Sequence, residues 1–172
     1  MVLEGTFLQL DMMTALCNVV DMSVVDINPN ERMLLLHQNI VNLVNQLNMP
    51  LIEVSLVVAK YIKILSEKLM LIAEENQEVL PEKYTKSWPL ELDEIDSDSK
   101  TSINLEKLIK IVDDDRMDIL DTLIRTSINK DKTPLSDSLL VLRSWEKLLR
   151  TQLSSSTSPG QLFSTIELPE DY

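Results

Sequence analysis

Residues 49–81 read MPLIEVSLVVAKYIKILSEKLMLIAEENQEVLP, and this stretch decides the fold. Leu51, Val54, Val58, Ile62, Leu65, Leu69 and Ile72 recur three or four residues apart, which places them on one stripe of a helix. The spacing predicts a single helix of roughly 30 residues, about 45 Å long at 1.5 Å per residue. Its first half also carries Ile52, Leu56, Val57, Ala59, Tyr61 and Ile64 off the stripe, so neighbours must cover it on more than one side. A helix with that demand belongs at the centre of a bundle.

Upstream, Asn28, Pro29 and Glu31 spell a helix start: an amide to cap, proline at the first helical position, and an acid placed for a capping box. Met33, Leu36, Ile40, Leu43 and Leu47 follow on one face, and Asn48 with Pro50 ends that helix. The short connection implies that it lies antiparallel to the central helix. Still earlier, residues 2–25 predict a first helix striped by Leu3, Phe7, Leu10, Met13, Cys17, Val20 and Val24. Leu8, Met12, Ala15, Val19 and Met22 add a second apolar flank, and the segment's only charges are Glu4, Asp11 and Asp21. Such a helix offers water little and needs cover from its own bundle or from a partner.

Downstream, residues 82–101 carry Pro89 and the acids Glu91, Asp93, Glu94, Asp96 and Asp98, the composition of a solvated linker. Trp88, Leu90, Leu92 and Ile95 interrupt it as an anchor, set either across the chain's own surface or in a partner's groove. A fourth helix from Thr101 or Ser102 reaches a break near Asp114, after which Met117, Leu120, Ile124 and Ile128 resume on a different stripe. Thr133 and Pro134 give another capped start, for a last helix defined by Leu135, Leu139, Leu142, Trp145, Leu149 and Leu153. Residues 154–172 read as a flexible tail, bearing Leu162, Phe163, Ile166 and Leu168 as an apolar patch on a tether. The division is therefore 1–81 a hydrophobic three-helix bundle, 82–101 an acidic linker, 102–153 helices packing on the bundle, and 154–172 the tail.

Composition agrees with an all-α antiparallel helical bundle of about five helices. Of the 172 residues, 44% are apolar but only 4% aromatic, and two glycines leave almost no tight-turn chemistry or glycine-rich phosphate loop. The formal charge is −12 and no segment is basic, which speaks against direct nucleic-acid binding. Cys17 is the lone cysteine, as in a reducing compartment, and Met1 to Leu10 lack the bases of a leader peptide. The charge-free run from Met33 to Ile52 is long enough to cross a bilayer but too rich in Asn and Gln to face lipid. No membrane span and a nuclear or cytoplasmic location are expected.

Chemistry-bearing constellations are sparse. His37 is the single histidine and has no ligand at metal spacing beside it. Asp113, Asp114 and Asp115 lack the glycine and closing glutamate of a calcium loop and read as a solvated face. Arg143, Lys147 and Arg150 line one face of the last helix, either as an ordinary exposed face or as a site for an acidic segment, the chain's own linker being one candidate. With no nucleophile, base and orienting group to assemble, the sequence predicts no enzyme, no cofactor and no metal. The expected role is a non-catalytic scaffold or adaptor subunit of a heteromeric complex, docking other protein subunits through apolar helix faces. Leu8, Met12, Val19, Leu56, Trp88, Leu92, Phe163 and Ile166 are the expected contact residues. The alternative is a self-contained helical domain that holds a peptide or small ligand in a groove between helices.

Overall fold

The computed structural model describes residues 28–90, 110–169 and 172. Helix α1 spans Pro29–Gln46 and opens on the expected box: Asn28 accepts from the Asn30 amide at 3.2 Å, and Glu31 accepts from the Asn28 amide at 3.3 Å. Helix α2 spans Leu51–Glu75 and short α3 spans Glu82–Thr85. Helix α4, Asp114–Lys130, begins at the expected break, with Asp113 capping the Arg116 amide at 3.1 Å. Helix α5 spans Leu135–Ser155, and a 3-10 turn, η1, spans Pro159–Phe163. The described chain is all-α. The first predicted helix, residues 2–25, and the segment around Leu105 lie outside the described residues.

Helix α2 stops before Pro81, where the periodicity had carried it. Gln77 turns left-handed at φ 57°, so the Glu78 amide bonds the Ala73 carbonyl at 2.8 Å and the Gln77 amide bonds Glu74 at 3.1 Å. Asn48 and Lys132 end α1 and α4 in the same way, at φ 46° and 49°. Three helices thus close through a backbone conformation that glycine usually supplies, each at some steric cost.

Packing runs between the loop-joined pairs more than within them. Both α1 and α2 pack against α4 and α5, while α3 lies on α5 and η1 on α2. Arg32 donates to the Lys132 carbonyl at 3.1 Å and Asn39 to Ser127 at 3.3 Å, so α1 and α4 are antiparallel. Glu53 meets Arg116 and Tyr61 meets the Asp121 carbonyl, so α2 and α4 run the same way. Two parallel helices require a connection that returns along the bundle. Arg143 donates to the Tyr84 carbonyl at 3.1 Å and Arg150 to the Trp88 carbonyl at 2.9 Å, which lays the start of that connection along α5. It arrives where the Asp113 amide donates to Glu53 at 3.0 Å.

The core is aliphatic around one ring system: Leu36, Ile40, Val54, Leu120, Ile124, Leu139, Leu142 and Trp145 are all fully enclosed. Two sequence expectations are corrected. Thr133 does not cap α5; Pro134 occupies that position and the Thr133 hydroxyl is buried without a partner. The segment after α5 is not a loose tether among its described residues. Pro50 leaves α2 without a side-chain cap, and the free Leu51 amide takes the Ser164 carbonyl at 2.9 Å, beside a Pro50–Thr165 bridge. Leu162 and Ile166 are buried, and Tyr172 rests on His37 and Trp145 with ring centres 4.7 and 5.2 Å away.

Candidate docking surface

The described polar clusters hold the fold together. Glu53 is fully buried; its carboxylate accepts both Arg116 Nε at 2.9 Å and Nη2 at 2.7 Å in addition to the Asp113 amide. Both carboxylate oxygens accept, and the guanidinium is held above its ordinary pKa, first by the hydrogen bond to Glu53. The cluster locks the first turn of α4 to the first turn of α2. Arg143 and Arg150 hold the start of the chain's own connecting segment, Arg143 through the Tyr84 carbonyl and Ser87 and Arg150 through the Trp88 carbonyl, while the acids of that segment from Glu91 on lie outside the described residues. His37, wedged between Trp145 and Tyr172, has its pKa lowered by burial, with a backbone hydrogen bond at Tyr172 opposing the shift.

Among the described residues no three His, Cys, Asp or Glu side chains converge to hold a metal ion. No described helix is long and apolar enough to cross a membrane. A groove between α2 and α5, walled by Val58, Ala59, Leu149 and Leu153, holds 160 Å³. That is below the roughly 300–1,000 Å³ of ordinary small-molecule sites.

Of the expected contact residues, Leu8, Met12, Val19 and Leu92 lie outside the described residues. Leu56 and Phe163 come together, but around Ile52 and Leu162 of the same chain. Ile166 is only 8% exposed and belongs to the main core, because Leu51 pins the backbone two residues before it. Trp88 is half-buried; its indole donates to the Lys83 carbonyl at 3.0 Å, closing the segment on itself beside α5. These four side chains are engaged within the molecule.

The apolar surface that stays open lies elsewhere. Leu65 is the last of the stripe residues on α2 to be buried; beyond it Met70 is 54% exposed, Leu71 61% and Ile72 38%. Ile64 joins Leu71 one heptad away, on a line completed by Lys60 and Lys68. The result is a narrow apolar face set among Lys60, Lys63, Glu67, Lys68 and Glu75, with Met70 and Ile72 open on either flank and Lys60 paired with Asp121. Sequence periodicity marks Ile64 and Ile72 as helical and apolar, but the stripe alone carries no sign of where the covering helices stop. No known protein family, curated protein or solved structure matches this chain.

Proposed function

We propose that the protein is a non-catalytic helical scaffold or adaptor subunit of a nuclear or cytoplasmic heteromeric complex, docked through apolar helix faces. The observation that carries this reading is the apolar surface left open on the second half of α2, where Ile64 and Leu71 share a face and Met70 and Ile72 flank it on either side. Exposed apolar side chains on a rigid helix are the usual core of a protein contact, and the charged residues among them supply a polar rim. The apolar flank Leu8, Met12 and Val19 adds surface of the same kind.

The test is sedimentation of the native chain from its own cells. The chain should travel well above its own 19.7 kDa, with partner subunits in fixed ratio. Leu8→Glu together with Met12→Glu should release those subunits while circular dichroism shows unchanged helicity. A chain that sediments as a lone monomer in the same extract overturns the reading.

A further inference from the structure

The strip on α2 has a candidate occupant within the same chain. Arg32, in the first turns of α1, bonds the Lys132 carbonyl just past the end of α4. Glu53 and Arg116 mark the opposite end, where α2 and α4 begin. Residues 1–27 therefore join the bundle at the end where α2 finishes and the strip lies open.

Reach and pattern agree with that placement. As a helix, residues 2–25 would extend about 36 Å, whereas Ile64 to Ile72 occupies about 12 Å of α2. The segment's stripe of Phe7, Leu10, Met13, Cys17 and Val20 is apolar at helical spacing, the pattern required of a helix that covers another. A helix delivered at the right end by its own chain needs no encounter with a second molecule, which favours it over any dissolved competitor.

We infer that residues 2–25 pack as a helix across the Ile64–Leu71 face of α2, stripe inward, presenting the flank Leu8, Met12 and Val19 for the partner. The inference rests on the docking reading and refines it: the α2 face is taken by the chain's own first segment, and the partner subunit meets the flank Leu8, Met12 and Val19 instead. About 16 Å back from Asn28, Cys17 falls between the levels of Ile64 and Leu71.

Cys17, the single thiol, makes the test direct. Full-length Ile64→Cys and Leu71→Cys variants are oxidised mildly at low concentration, with Ser158→Cys, near the start of α2, as the control. An intrachain disulfide from Cys17 to position 64 or 71, absent in the control, is the expected result. Only interchain disulfides would assign the strip to a second copy and overturn the inference; so would no disulfide at either position. A second readout leaves the face intact: alkylation of Cys17 in the native chain should be about tenfold slower than in urea. Ile64→Glu with Leu71→Glu should abolish that protection while the melting of α1, α2, α4 and α5 is retained. Equal alkylation rates in native chain and urea also overturn it. Loss of the disulfide leaves sedimentation of the complex unaffected as a separate question, so the two failures are distinguishable.

Discussion

The two halves of α2 follow one apolar period and meet opposite fates. From Leu51 to Val58 the helix is walled in and its stripe stays buried as far as Leu65: Val54, Val58 and Leu65 are at most 5% exposed, and even Glu53 is sealed off from water. From Met70 to Ile72 the same helix stands open. The difference comes from the neighbours. Glu53 with Arg116 and Tyr61 with Asp121 set the level at which α4 lies, and that register spends the 17 residues of α4 mainly on the first half. Periodicity identifies which side of a helix wants cover; the polar locks between helices decide how far the cover extends.

The widest split between the halves should appear when one charge is placed in each. Val58→Asp buries an unpartnered carboxylate at a position 1% exposed, and should cost more than about 4 kcal/mol, enough to abolish cooperative melting. Leu71→Asp, which the described neighbours leave 61% exposed, loses only the cover inferred from residues 2–25 and should cost less, about 1–2 kcal/mol. Chemical denaturation of the two variants measures both. A loss of no more than about 0.5 kcal/mol at Leu71 would leave that face open to water and count against the inferred cover.

Next in size is the lock itself. Arg116→Ala strands the Glu53 carboxylate in the interior with only the Asp113 amide, at a cost of about 3 kcal/mol. Arg116→Lys should recover only part of that, because an ammonium cannot span both oxygens in the fork that the guanidinium makes. If the register of α4 depends on this pair, amide exchange in Arg116→Ala should rise first between Leu51 and Leu65, narrowing the contrast between the halves.

Tyr61 sits where the enclosed half begins to give way. Its hydroxyl donates to the Asp121 carbonyl at 2.9 Å, and Tyr61→Phe should cost about 1 kcal/mol. Burial, reinforced by Asp121, pushes the phenol up to about 12 from 10.0. A folded pKa above the unfolded one means the neutral form is favoured by folding. The contribution is complete below pH 10 and declines as pH rises from 10 toward 12. The stability gap between native chain and Tyr61→Phe should therefore shrink across that interval.

Much of this arrangement is legible in local sequence. Asn28, Pro29 and Glu31 announce α1 because the capping box uses residues three apart, and the enclosed half of α2 follows from its own period. What escapes sequence reading is carried by distant partners. Glu53 and Arg116 are 63 residues apart, and Leu162 and Ile166 look like a patch on a tether until Ile52 and Leu51 meet them. The end of α2 escapes for a different reason: its stop signal is a left-handed Gln77, a residue with no special claim to that conformation. The candidate surface was half legible. Ile64 and Ile72 read as apolar helical positions and Met70 and Leu71 do not stand out, and only the lengths and levels of α4 and α5 show which of them lack cover.

That unusual stop supplies the finest probe of the comparison. Gln77 and Lys132 both hold positive φ, where a Cβ crowds the following carbonyl, and glycine is free of that crowding. Lys132→Gly closes α4 within the enclosed part of the bundle; after the entropy that glycine adds to the unfolded chain, it should stabilise by about 0.5 kcal/mol. Gln77→Gly relieves the same strain at the end of the open half. It raises global stability equally only if that half unfolds together with the core. Should residues 66–75 fray independently, Gln77→Gly will leave the global midpoint unmoved and appear only as slower amide exchange there. Equal gains from the two glycines make α2 one cooperative helix whose bare end is held straight for something to bind; unequal gains make that end a segment that orders upon binding.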